Sequence, residues 1–330
     1  MPVRRYLVRR LLQIPPLLLI VSFLSFSIML VAPGGPENII FSGDPSAQFD
    51  PQMAQRLREK WGLDDPIPVQ YARWLKNVVT GDMGRSFYYR KPVATAIAER
   101  LPNTLKLQGV VLFFTYLIAI PLGIYTAVRQ YSIADYIATT FSFLGTAMPS
   151  FWVGTMLIFL VALNSKGLIP TSGIANYRIT LETHGLWAVL LDRARYMLLP
   201  TLTLVTGSLA GLTRYVRNSM LEVLKEDYIR TARAKGLSER VVIYRHAFRN
   251  ALIPVVTLSS GILVGLFSGS VVTEQVFAWP GLGTLSVEAV NNRDYQVVMA
   301  FLLVGAVLSI IGNLLVDIIY VFVDPRIKYD

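Results

Sequence analysis

The sequence predicts an all-α, polytopic membrane protein: six transmembrane helices, a small external helical segment and a helical loop on the cytoplasmic side. Two observations predict it. Hydrophobic residues make up 53% of the 330 residues, and several apolar runs reach the ~20 residues that a helical membrane crossing requires. The net charge is +10, and the bases gather between particular apolar runs, as they do on the cytoplasmic side of a bilayer. No cysteine is present, which excludes disulfides, thiol catalysis and cysteine-ligated metals. In a soluble chain such a positive charge would suggest nucleic acid. Beside so many apolar runs it reads as membrane orientation instead.

The first span follows Arg4, Arg5, Arg9 and Arg10 and covers Leu11 to Ala32. It is longer than the ~7–15-residue core of a signal peptide and lacks a small-x-small cleavage site, so it reads as an uncleaved helix. Pro15 and Pro16 fall near its start, where proline is best tolerated. Residues 33–104 form the external segment. An amphipathic helix is expected from Asp50-Pro51 to Gly62, another over Val69–Val79 before Gly81, and a third over Pro92–Leu101. Its charges are balanced, and Trp61, Tyr71, Trp74 and Phe87 supply aromatic surface for a folded cap rather than a linker.

Residues 105–330 hold the remaining five spans. They are Leu107–Val128, Tyr136–Leu163 with Pro149 in its middle, Leu198–Val216 after an interfacial stretch at Leu186–Leu191, Leu252–Phe277, and Val297–Val323. Arg129 lies between the second and third spans. The central loop region carries Arg214, Arg217, Lys225, Arg230, Arg233, Lys235, Arg240, Arg245 and Arg249, whereas the loop after the fifth span has only Arg293. This asymmetry places both termini and the central loop in the cytoplasm.

The central loop, 217–254, is too long for a plain connection between helices, which takes ~2–8 residues. Acidic Glu222, Glu226 and Asp227 precede basic Arg230, Arg233 and Lys235, and then comes Gly236. That order suits a helix dipole ended by a glycine cap. Ser238 reads as the N-cap of a second helix over Arg240–Asn250. The expected motif is helix, glycine turn, helix, lying along the membrane surface.

The strings Asp227-Tyr228-Ile229-Arg230-Thr231-Ala232-Arg233-Ala234-Lys235-Gly236-Leu237 and Arg249-Asn250-Ala251-Leu252-Ile253-Pro254 resemble the cytoplasmic coupling loop, or EAA motif, of ABC importer permeases. The resemblance is to the dipeptide/oligopeptide (peptide/nickel) branch, first-permease or B type. Arg230 and Thr231 stand where the general pattern has Glu and Ala. Further strings are similar in the same order: Ala32-Pro33-Gly34-Gly35-Pro36, Trp61-Gly62-Leu63-Asp64-Asp65-Pro66, Gly81-Asp82-Met83-Gly84-Arg85-Ser86, Met148-Pro149-Ser150-Phe151-Trp152, Val276-Phe277-Ala278-Trp279-Pro280-Gly281 and Asp324-Pro325-Arg326-Ile327.

The resemblance implies a type I importer permease fold in a bacterial or archaeal cytoplasmic membrane. It also implies a homologous second permease, two ATP-binding subunits and an external solute-binding protein. The transported solutes would be dipeptides or oligopeptides, with nickel, glutathione or oligosaccharides as alternatives served by the same machinery. The ATPase-coupling set is then Glu226, Asp227, Tyr228, Arg230, Ala232, Lys235, Gly236 and Leu237. No glycine precedes a lysine anywhere, so the chain has no phosphate-binding P-loop. ATP and Mg belong to the partner ATPases, and no cofactor is expected on this chain.

Small and weakly polar residues let helices approach and line a path. The candidates are Met148, Pro149 and Ser150 in the third span and Ser259, Ser260, Ser268 and Ser270 in the fifth. Glu274 and Asp317 are candidates for a gate or a structural charge, and Trp279 for an interface anchor. An intramembrane enzyme is disfavoured: the two histidines, His184 and His246, fall in opposite compartments, and Asp317 lacks a second aspartate for a dyad. An ion-coupled carrier would show inverted repeats and midplane charges, and the sequence shows neither.

Overall fold

A computed structural model describes residues 2–31, 64–86, 88–252 and 270–323. Within these residues every element is helical and the only β pairing is a single bridge, Arg85 to Pro92. The chain divides into two compact units.

The first unit contains α1 (Pro2–Val31), α2 (Ile67–Val79), the start of α3 (Val93–Val128), α10 (Leu282–Asn291) and most of α11 (Tyr295–Val323). α2 is amphipathic, as expected, and it packs on α1 through aromatic surface. Phe26 is buried against Tyr71 and Trp74, and Ser22 shares a 2.7 Å hydrogen bond with the Tyr71 hydroxyl. Leu282, Leu285 and Ala289 of α10 meet Val93, Ala96 and Ile97 of α3 in a second apolar cluster. A buried carboxylate ties the preceding turn down: Asp294 accepts from the Ser86 hydroxyl at 2.5 Å and from the Tyr88 amide at 3.2 Å.

The second unit takes the rest of α3, then α4 (Ile133–Ala147), α5 (Ser150–Leu157), α6 (Leu181–Val223), α7 (Asp227–Ala234), α8 (Glu239–Val241) and α9 (Val271–Val276). α6 is the spine of this unit. Gly123 of α3 comes so close to it that a Cβ there would meet Val216 Cβ at 2.7 Å. A Cβ on Gly145 of α4 would meet the Thr206 carbonyl at 2.9 Å.

Several expectations are corrected. The helix expected over Pro92–Leu101 and the span expected over Leu107–Val128 are one continuous helix, α3. The span expected from Leu198 starts far earlier: α6 is broken at Gly185, which stands at φ +74°, but from Leu186 it runs through the stretch read as interfacial and through Pro200. The third span is not one rod: α4 and the helix continuing to Ser165 are bent by 105° at Met148-Pro149. The cause is local, because proline pushes the preceding residue out of the helical region, and Met148 is extended at φ −82°, ψ 126°.

Three described helices are long and apolar enough to cross a membrane, or four if the bent pair is one span. Residues Leu12–Ile28 of α1 form a shorter apolar helix. Six spans were expected. The helix expected from Asp50 to Gly62, most of the fifth span and the strings around Pro33 and Asp324 lie outside the described residues, as does Phe87.

Candidate functional site

α6 ends at Val223, and a tight turn through Leu224 to Glu226 reverses the chain before α7 begins at Asp227. α7 is seated by two residues three apart. Ile229 has no exposed surface and Ala232 is also buried, both against Val216 and Met220 of α6 and against Val242, Ile243 and Ala247 of the segment that follows. Spacing of three brings side chains to one face of a helix. Every other residue from Lys225 to Arg240 is exposed. A short polar helix therefore rides on an apolar cushion and turns its whole opposite face outward.

Gly236 closes this helix. It adopts φ +75°, a left-handed conformation that favours glycine, and its amide donates to the Arg233 carbonyl at 2.9 Å. Ser238 then starts the next helix as expected, although its side chain makes no capping bond. Over Val242–Phe248 that helix widens to a π-helix, which brings Val242, Ile243 and Ala247 under α7.

Two side-chain contacts bracket the turn. Arg233 donates from Nε and Nη2 to the two oxygens of Glu239, at 3.2 and 2.7 Å. This hydrogen bond holds the Glu239 carboxyl below its ordinary range and raises the Arg233 guanidinium. The Tyr228 phenol is pushed up, first by burial and then by the neighbouring Glu226 carboxylate, while its hydrogen bond with Asn250 pulls the other way.

The Arg233–Glu239 staple is exposed, so it contributes about 1 kcal/mol or less. Because the Glu239 pKa is depressed on folding, its contribution is complete above the unfolded value and is lost as pH falls through the lowered one. Glu239→Gln at neutral pH should reproduce that acid state: amide exchange across 236–241 speeds up by about fivefold or less, while α7 stays seated. Exchange unchanged from the wild type would contradict the staple.

Comparison with known proteins bears on what such a surface serves. Residues 119–329 match the family model described as binding-protein-dependent transport system inner membrane component. Residues 3–108 match the model of the N-terminal part of such membrane components. The chain belongs to this family. Its relatives include the oligopeptide transport system permease protein AppB of Bacillus subtilis, 45% identical over 329 residues, covering 98% of this chain and 99% of that one. The dipeptide transport system permease protein DppB of Escherichia coli is 38% identical over 340 residues, covering 98% and 99%. Among solved structures, a chain of the MetNI methionine ABC transporter in inward-facing conformations matches with a TM-score of 0.51 at 18% identity, over 70% of this chain and 97% of that one. That likeness bears on the fold alone.

In this permease the expected coupling residues fall on two faces. Glu226, Asp227, Tyr228, Arg230, Lys235, Gly236 and Leu237 are exposed around α7 and its turn. Ala232 is not. It is 5% exposed and belongs to the cushion beneath the helix, so it seats the surface rather than forming it. The start of the central loop, expected at Arg217 after a span ending at Val216, is also corrected: residues 217–223 are the end of α6.

Of the path candidates, Met148, Pro149 and Ser150 mark the 105° bend. Ser270 caps the N-terminal end of α9 without a side-chain bond. Ser259, Ser260 and Ser268 lie outside the described residues, as does the side chain of Asp317. Glu274 is fully buried and accepts from the Thr104 hydroxyl at 3.0 Å. Trp279, expected as an interface anchor, is buried among Leu107, Val111 and Val205 instead. Its amide donates to the Glu274 carbonyl at 2.8 Å.

One pair escaped sequence reasoning altogether. Arg217 donates from Nε and Nη2 to both oxygens of Asp135, at 2.8 and 2.9 Å. Ser132 caps the Asp135 amide at 3.2 Å, but nothing in the sequence hinted at a partner 82 residues away.

Proposed function

We propose that this chain is the membrane-spanning permease subunit of an ATP-driven importer, and that α7 with its Gly236 turn is the element that docks on an ATP-binding partner. The observation that carries this reading is the seating of α7: a polar helix with one buried apolar edge and an otherwise exposed surface. A helix seated in one apolar cluster with residues of α6 and of the end of α3 passes a push on its outer face into those helices. Closure of an ATPase dimer around it becomes movement of membrane helices.

The solute class follows from the relatives, whose names specify oligopeptide and dipeptide transport. Dipeptides and oligopeptides are accordingly the proposed cargo, delivered by an external solute-binding protein that does the selecting. The assembly comprises this permease, a homologous second one, two ATP-binding subunits and the binding protein. The orientation inferred from the arginine and lysine distribution puts α7 and both termini in the cytoplasm. ATP and Mg are bound by the partners.

A pull-down of the tagged chain in mild detergent, with mass spectrometry of what co-purifies, tests the assembly. Two ATP-binding subunits and a second permease are the expected companions; a lone homo-oligomer persisting across gentle detergents would overturn it. The purified chain alone is expected to show no ATP hydrolysis above a blank membrane protein, and robust turnover would overturn the assignment of hydrolysis to partners.

A further inference from the structure

The Asp135–Arg217 pair stands apart from the surface ion pairs of this chain. Asp135 is 3% exposed, and its carboxylate accepts four times: from Arg217 Nε and Nη2, from the Tyr131 amide at 3.0 Å and from the Thr139 hydroxyl at 3.4 Å. Its own amide is capped by Ser132 Oγ at 3.2 Å. A guanidinium held by both oxygens of a carboxylate is fixed in plane and direction, which a sliding apolar contact is not.

Its position matters as much as its chemistry. Asp135 is in the first turn of α4. Ten residues further along α4, Gly145 lies against the backbone of Thr206, eleven residues before Arg217 on α6. At 1.5 Å per residue these separations are about 15 and 16 Å, so the two helices run antiparallel and are pinned at two matched points. Val216 and Met220, on either side of Arg217 along α6, are part of the cushion that seats α7. The last turns of α6 thus hold α7 by apolar contact and α4 by the ion pair, and α4 leads directly to the bend at Met148-Pro149.

We infer that Asp135 and Arg217 are positioning residues for transport: they make α4 follow the end of α6, so that displacement of α7 reaches the bent α4–α5 pair. This rests on the reading of α7 as the ATPase-docking helix. Without the pair, α7 still seats on α6 and still engages its partner, but the bent pair no longer follows.

The absence of native cysteine makes a direct test available. The complete transporter is reconstituted in vesicles with its partner subunits, carrying either the wild-type chain or the double variant Asp135→Cys, Arg217→Cys. ATP hydrolysis and peptide uptake are measured together. The double variant is expected to keep hydrolysis within about twofold while uptake per ATP falls about tenfold. A short, reducible bis-methanethiosulfonate cross-linker joining the two cysteines should restore the ratio, and reduction should abolish it again. Arg217→Lys, which keeps the charge but loses the fork, should fall between the two.

An unchanged ratio in the double variant would overturn the inference. So would an equal fall in hydrolysis and uptake that the cross-linker does not reverse, since that marks a folding role. A wild-type complex without ATP-driven uptake would instead sink the functional reading itself, and this arm is read before any variant.

Discussion

Gly236→Pro is expected to abolish ATP-driven uptake while leaving the amount of permease in the membrane unchanged. Proline fixes φ near −65°, whereas Gly236 stands at +75°. The substitution also removes the amide that donates to the Arg233 carbonyl at 2.9 Å. Losing both costs about 3 kcal/mol, or roughly a hundredfold in the population of the native turn. The turn lies at the outer surface, so the spans keep their packing. Gly236→Asn is the control. Nothing lies within 4 Å of the Cβ position, and asparagine tolerates the left-handed region, so uptake should stay within about threefold of wild type. Normal uptake by the proline variant would refute the role of the turn.

Ile229→Asp should be nearly as severe, for a different reason. Ile229 has no exposed surface and belongs to one buried apolar cluster with Val216, Met220, Val242 and Ile243. A carboxylate placed there has no cationic partner within the cushion, and an uncompensated buried charge costs several kcal/mol. The helix escapes that cost by lifting away. Amide exchange across 227–234 should then rise by about a hundredfold or more, and uptake should fail. Ile229→Val, which removes one methylene at about 1 kcal/mol, should keep both near wild type. Wild-type protection in the aspartate variant would show that α7 is held by something other than its cushion.

The parts of this site that were legible in the sequence are those governed by local chemistry. The glycine after Arg233 and Lys235 marked the end of α7, and Ser238 marked the next start. Both depend on backbone preferences that a few residues express. The beginning of α7 was not legible. Residues 217–226 contain no glycine or proline, yet α6 stops at Val223. The break arises because Met220 and Ile229 both enter one apolar cluster from either side of the turn, which is a tertiary demand.

Pro149 and Pro200 show the same division. Each interrupts an apolar run, but one marks a 105° bend and the other sits buried in the part of α6 after Gly185, which stays helical on both sides of it. Proline removes a donor in both cases; the packing around it decides whether the helix breaks. The Asp135–Arg217 pair was out of reach for a related reason. Arg217 looked like one more base of a polar loop until α6 was seen to extend past it. The burial of Trp279 likewise depends on α3 and α6 closing over it, and no spacing rule announces that.

The central claim is that the exposed face of α7 touches an ATP-binding subunit. Photo-crosslinking residues placed singly at Tyr228, Arg230 and Leu237, with Ile229 and Ala232 as buried controls, test it in the assembled transporter. The account predicts cross-links to the ATP-binding subunit from the three exposed positions and only intrachain products from the two buried ones. An active transporter that yields no such product from the exposed face, or yields it equally from Ile229, would contradict it.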